Sequence, residues 1–326
     1  MDALDTLWLK LLLPFATPLL PVQRIYVVYL VSAIVLAFAV YLSLSKAPAG
    51  ERPKSFLAYC FPKAVYLHPS ALVDYAYFVI NKISFAILLA PFIVGSVLVS
   101  GWTQDILSDV WGTMQAGRSA GLAASVVFTL CLVLASDFAI FVAHYLQHKV
   151  PLLWEFHKVH HSAEVMTPIT VYRMHPVDDL LVGSFSGVMT GVVHGLFAYF
   201  YEGGITEITV WKLNLGLFLF YLFGYNLRHS HIWLPYPRWL SHILVSPAQH
   251  QIHHSDQPRH FDKNIGFIFA FWDWAAGTLY VPKHKEDFAF GLHGGEHRAF
   301  NSVWKLYLLP FRNAAALFRR RKRSRA

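Results

Sequence analysis

Four stretches of this chain run for about 20 residues without a charged side chain, the length a helix needs to cross the apolar core of a bilayer at 1.5 Å per residue. They lie between residues 24 and 46, 82 and 105, 118 and 137, and 179 and 202. A fifth, from 208 to 227, carries Lys212 near one end, where a long stem can reach back to the headgroups. Lipid offers no partner to an exposed N–H or C=O, and these runs lack the alternation of a barrel strand, so each is predicted to be a helix. The expectation is an all-α polytopic membrane bundle with five spans. Only 14% of the residues are charged, against about 25% in an ordinary soluble domain.

No Pro/Ser-rich linker or low-complexity segment divides the chain, so residues 1–326 read as one membrane-embedded domain. The opening MDALDTLWLK is acidic where a secretory leader would be basic, and reads as an interfacial helix rather than a removable signal. Residues 301–326, which end in RRRKRSRA, read as a second interfacial helix with a basic tail. Lys46, Arg52, Lys54 and Lys63 crowd the first loop, while the loops near residues 103–118 and 202–207 are poorer in cations. Positive charge prefers the cytoplasm, which places the first loop, residues 144–179 and everything after Arg228 on that side. The formal net charge of +8 fits this bias and an anionic lipid surface better than nucleic acid.

HKVHHS at residues 157–162 returns as HQIHHS at 250–255. Of eighteen histidines, eleven form ordered sets: His144 and His148; His157, His160 and His161; His175; His229 and His231; His250, His253 and His254. Neutral imidazole is the commonest metal ligand, and a set this large exceeds the needs of one ion. On a helix, residues i and i+4 lie about 40° apart and i+3 and i+4 about 100° apart. An H-x-x-H-H turn can therefore feed two neighbouring ions, and two such turns can wall a binuclear site. Ser246 and Gln249 have the spacing of a capping box and Pro247 suits the first helical turn, which starts a helix at the second motif. Pro151 disfavours helical geometry at Val150, so one helix is predicted to end near His148 and the next to begin at the proline.

Asp137 lies seven residues before His144 on the same helix face, and an acid within a span is a functional candidate. The expected role is to accept a histidine N–H and fix its ring. Asp178 and Asp179 read as capping or pairing residues. Cys60 and Cys131 have no C-x-x-C spacing, which removes structural zinc and c-type haem attachment. H-E-x-x-H and E-x-x-H are absent, so zinc peptidase and soluble di-iron bundle signatures do not apply. Imidazole alone does not name the metal.

Taken in order, H-x-x-x-H, H-x-x-H-H, His-Pro, a histidine after an apolar hairpin, then H-x-x-H-H followed by NIGFIFAFWDWAAGTLYVP resemble the fatty acid hydroxylase/sterol desaturase superfamily over about residues 135–283. The resemblance implies an integral membrane oxygenase with two non-haem iron ions, which uses O2 to hydroxylate or desaturate a lipid C–H bond. It assigns ligand roles to His144, His148, His157, His160, His161, His175, His229, His250, His253 and His254. His231 stands where the family often has Asn and is carried as an eleventh candidate. Asn264 and Asp273 match the family's tail, and Asp273 is expected to support the ligands from behind. The implied setting is a bacterial inner membrane or endoplasmic reticulum, with the site on a helical cap at the cytoplasmic face. With no haem, flavin or iron–sulfur motif in the chain, electrons are expected from a separate cytochrome b5-, ferredoxin- or flavoprotein-type donor. The competing reading is a zinc-dependent membrane lipid hydrolase, which would need neither O2 nor reductant.

Overall fold

The computed structural model describes residues 3–45, 53–113, 119–201 and 204–323. The part of the basic tail beyond Arg323 lies outside them, as do Lys46, Arg52, Arg118 and Glu202, on which part of the orientation argument rests. Nearly all of the regular secondary structure is helix: α1 Ala3–Ala16, α2 Val27–Leu44, α3 Phe56–Cys60, α4 Lys63–Tyr66, α5 Pro69–Ser84, α6 Ser96–Trp111, α7 Leu122–Lys149, α8 Pro151–His161 and α9 Pro176–Phe200. After these come α10 Leu215–Leu222, α11 Pro247–His253, α12 Phe271–Ala276 and α13 Val303–Arg323. Among the described residues four segments are long and apolar enough to cross a membrane, namely Val27–Leu44, Pro69–Trp111, Leu122–Lys149 and Pro176–Phe200.

The fifth expected span is not one. Its first part is a two-stranded hairpin, β1 Thr209–Val210 against β2 Leu213–Asn214, turned by Trp211 and Lys212 at φ 50° and 67°. Asn214 then caps α10 by accepting from Gly216 N at 2.9 Å. Eight helical residues rise about 12 Å, well short of the roughly 30 Å bilayer core. The segment is held against α7 instead, where Ile208 N donates to Thr129 Oγ1 at 2.8 Å and Asn214 Nδ2 to the Thr129 carbonyl at 3.3 Å. Polar residues at 212 and 214 interrupt the apolar run and make this docking possible.

Two contacts set the frame of the bundle. Gly187, Gly191 and Gly195 form a ridge on α9 against which α6 lies at close range; a Cβ at Gly191 would come within 2.6 Å of Val99 Cβ, and one at Gly195 within 2.5 Å of Thr103 Cβ. Residue numbers rise together along both partners, so α6 and α9 run parallel, joined by the small-residue packing that dispersion favours between apolar helices. The second contact is polar and buried. Arg173 donates to Asp74 Oδ1 at 2.6 Å, to Ser162 Oγ at 2.8 Å and to the carbonyls of Val159 and Phe300 at 3.0 Å each. It thereby ties α5, the end of α8 and the segment before α13 together. Around it Tyr77, Val159, Leu292, Phe300, Leu306 and Leu309 form one apolar cluster, in which each full side-chain burial contributes about 1.5–3 kcal/mol.

Candidate metal centre

Local sequence sets the three short arms of the site. Val150 is extended at φ −97° and ψ 112°, which ends α7 at Lys149 and lets Pro151 open α8. Ser246 Oγ accepts from Gln249 N at 3.2 Å while Gln249 Oε1 accepts from Ser246 N at 2.9 Å, the reciprocal box that starts α11. His229 follows a short turn after α10. These arms bring nine imidazoles into two groups.

The first group is His144, His148, His157, His161 and His253; the second is His160, His229, His250 and His254. Within each, one ligand atom per residue can be chosen so that all lie within 4.8 Å of one another. Each H-x-x-H-H turn divides between them. His157 and His161, four apart, serve the first group and His160 the second; His250 and His254 serve the second and His253 the first. The groups abut, with the His161 and His254 rings stacked at 4.5 Å between centroids.

Three pairs of ring nitrogens lie close together. His253 Nε2 lies 3.1 Å from His144 Nε2, His250 Nε2 3.1 Å from His229 Nε2, and His229 Nε2 3.4 Å from His160 Nε2. Two imidazole nitrogens about 2.1 Å from one ion stand about 3.0 Å apart at a right angle and about 3.4 Å apart at the tetrahedral angle. The observed spacings fall in that interval. Nε2 of His148, His157, His161 and His254 is buried with no hydrogen-bond partner among the described residues. A buried unsatisfied nitrogen costs about 1–3 kcal/mol, so four in one place imply a ligand.

Burial keeps the rings neutral. It pushes His157, His160, His161, His250 and His254 well below the ordinary imidazole range, with neighbouring imidazoles adding to the effect. His229 is pushed down to about 3 by burial and by the adjacent Arg228, and His253 to about 4. Their lone pairs are available to a cation at neutral pH.

The first group is braced from behind by one loop. His144 Nδ1 donates to the Ile265 carbonyl at 2.7 Å, His253 Nδ1 to the Lys263 carbonyl at 2.8 Å, and His148 Nδ1 stands 3.3 Å from the Asp262 carboxylate. These contacts fix the tautomers and leave Nε2 free on all three rings. Asp273 shapes the loop. Its carboxylate accepts from Ile265 N at 2.7 Å, Gly266 N at 2.8 Å and Thr278 Oγ1 at 2.6 Å. It thus acts on His144 through the Ile265 carbonyl.

Asp137 does not reach a histidine. Its oxygens accept from Ile268 N at 2.6 Å, Phe269 N at 3.1 Å and Trp272 Nε1 at 2.9 Å, so the expected contact with a ring N–H is replaced by a grip on the far end of the same loop. Two expected ligands also stand elsewhere. His175 Nδ1 accepts from Val177 N at 3.1 Å as the cap of α9, and its Nε2 donates to the Tyr307 carbonyl at 3.2 Å, so both nitrogens are engaged. His231 Nε2 donates to the Tyr59 carbonyl. Both lie outside the two groups.

Two acids that spacing did not single out as supports stand beside ligands. One is Asp262. The other is Asp178, with Oδ2 3.4 Å from His157 Nδ1. The only sequence signal for Asp178 is its place three residues after His175 of the His-Pro pair.

The groups are reached from two sides. A cavity of ≈ 70 Å³ touches His144, His157, His160, His229 and His250 and is otherwise lined by Arg24, Arg228, Tyr225, Met174, Phe267 and other largely apolar residues. A cleft of ≈ 350 Å³ meets His148, His161 and His253 from the opposite side, with Lys158, Asp262 and Glu296 on its walls.

A family model described as "Fatty acid hydroxylase" matches residues 129–278, which contain all nine clustered histidines. The cholesterol 25-hydroxylase of Homo sapiens is 32% identical over 151 residues, covering 46% of this chain and 49% of that protein. The ornithine lipid hydroxylase of Rhizobium tropici is 26% identical over 171 residues, covering 52% and 47%. The alkylglycerol monooxygenase of Caenorhabditis elegans is 23% identical over 168 residues, covering 52% and 30%. The matched part is less than half of each of these relatives. No solved structure matches the chain.

Proposed function

From residue 129 to residue 278 the chain belongs to the fatty acid hydroxylase family, and on that premise we propose that it is a membrane-bound, O2-dependent oxygenase that hydroxylates or desaturates a lipid. The observation that carries the reading is the pair of abutting imidazole groups, whose inward nitrogens lie within reach of a common centre in each group and in four rings have no hydrogen-bond partner. In this reading two iron ions are held, one by His144, His148, His157, His161 and His253, the other by His160, His229, His250 and His254. Bound there, the metals would activate O2, which is the oxidant for attack on an unactivated C–H bond once two electrons arrive from an external donor.

The chain's own residues do the rest. Ile265, Lys263 and Asp262 orient three rings of the first group, and Asp273 and Asp137 hold the loop that presents them. The largely apolar wall of the inner cavity excludes water and admits the reacting part of a lipid. The opposite cleft gives the first group its nearest approach to the outside, which suits electron delivery from a separate cytochrome b5-, ferredoxin- or flavoprotein-type partner. The four long apolar helices carry the protein in the membrane. The proposed topology is multi-pass, with the histidines and the C-terminus cytoplasmic, and the chain is a single domain whose catalytic region is about residues 135–283.

The hydroxylases and monooxygenases among the relatives favour this reading over the zinc hydrolase. The test is purification under anaerobic conditions, metal analysis, and O2 consumption with a reductant and a lipid extract. A product heavier by one oxygen or lighter by two hydrogens, formed only with iron and O2, is expected. Zinc occupancy in native membranes with turnover indifferent to O2 overturns the proposal.

A further inference from the structure

Behind Arg24 lies a second chamber. Its volume is ≈ 340 Å³, and it shares Arg24, Val171 and Met174 with the small cavity at the histidines, so the two adjoin across that wall. Its polar lining is Gln23, Arg24, Asn81, Lys82, Tyr172 and Asp179. Lys82 Nζ donates to Gln23 Oε1 at 2.8 Å and sits 4.5 Å over the Tyr172 ring, which holds the ammonium in place without neutralising it. Neither Arg24 nor Lys82 comes within 4.0 Å of a carboxylate among the described residues, but both interact with Asp179 across the chamber at longer range.

Lys82 ends α5 and Asp179 opens α9, both within segments apolar enough to span a membrane. Charges in that setting are expensive and rarely left unpaired. Two cations that share one carboxylate across a common chamber leave it with a net positive charge. An apolar chain or a lone hydroxyl would leave that charge uncompensated, whereas an anionic group beside an amine offers every one of the three side chains an opposite charge.

We propose that this chamber seats the polar head of the lipid, and that the head is zwitterionic, with an anionic oxygen group met by Arg24 and Lys82 and an amine met by Asp179. The inference rests on the oxygenase reading of the adjoining site. With the head held there, the part of the lipid that enters the ≈ 70 Å³ cavity at the histidines is the part next to the head. The oxidised position is then within a few bonds of the head, not at the far end of a chain.

The test uses the full-length protein in detergent and measures binding without reductant, followed by a separate assay of product with reductant and O2. The probes are a lysophosphatidylethanolamine and a fatty alcohol of the same chain length. The zwitterionic probe is expected to bind at least about tenfold more tightly, the scale of one charge-assisted hydrogen bond. Lys82→Gln and Asp179→Asn should each erase most of that preference, Lys82→Arg should keep it, and the thermal unfolding midpoint should stay at the wild-type value. Should either charge-removing variant fail to fold, Gln23→Leu, which frees the Lys82 ammonium from its holder, is expected to weaken the same preference severalfold. Equal affinity for both probes, or a preference that survives all of these changes, overturns the proposal. Binding preference without any O2-dependent product would remove the oxygenase reading and leave the head-group seat standing. Equal oxidation of both probes would do the reverse.

Discussion

The two histidine groups are built from the same motif yet supported differently. In the first group three Nδ1 atoms have defined partners, all from the loop at residues 262–265. Nδ1 is buried without a hydrogen-bond partner at His157 in the first group and at both His160 and His250 in the second, where Arg228 also stands beside His229. A cation next to a ligand opposes a bound metal ion, whereas an outer acceptor raises ligand basicity. The first group should therefore hold its ion more firmly, and a chelator should empty the second group first.

The largest expected effect removes a ligand from one group at a time. His161→Ala for the first and His254→Ala for the second should each cut product formation by more than the roughly 10–100-fold that loss of an outer partner costs. Metal content should drop toward one ion per chain while helix content, read by circular dichroism, stays constant. Unchanged product from the His161 variant would contradict the assignment of that group.

Arg173→Ala should not discriminate between the groups. It leaves Asp74 as a buried unpaired carboxylate and loosens α8, which supplies ligands to both. Breaking such a pair costs about 3–5 kcal/mol, measurable as a lower unfolding midpoint, with both ions lost together. Loss of one ion alone would show that α8 does not depend on this anchor.

Asp262→Ala sharpens the comparison from the other side. It deletes the carboxylate behind His148 and should weaken metal binding at the first group about 10–100-fold, with the second unchanged in a chelator competition. A uniform loss would mean that the loop supports both groups.

The smallest effect belongs to His175, outside both groups. Burial pushes its imidazole down to about 4, and in the native state its Nδ1 must stay unprotonated to accept from Val177 N. An unfolded histidine titrates near 6.5. The unfolded chain therefore takes up a proton that the native chain refuses, so this contribution is complete above pH 6.5 and is lost as pH falls toward 4. His175→Gln should flatten that part of the pH–stability curve by about 1 kcal/mol or more. An unaltered slope would place the acid sensitivity elsewhere.

What could be read from sequence follows from which features are written in side chains. The capping box at Ser246, the proline break at Val150 and the i, i+3, i+4 spacing of both motifs are local, and the helices start, stop and face as those signals imply. His175 and His231 look like ligands in the linear pattern because a capping or carbonyl-bound histidine has the same letter as a coordinating one. The supporting loop was hidden for a related reason: two of its three braces are backbone carbonyls, which any residue provides. The apolar run after residue 208 has the length of a span, and only its hydrogen bonds to Thr129 reveal a shorter element.

Because each H-x-x-H-H turn gives imidazoles to both groups, neither group can be displaced without dragging on the other. The step from one group to the other is made by adjacent residues, His160 and His161 or His253 and His254, whose side chains leave the helix about 100° apart, and not by the reach of any flexible arm. Such a gauge stays the same whichever cation is loaded, so exchange of one metal for another should alter reactivity while leaving the inter-ion distance untouched.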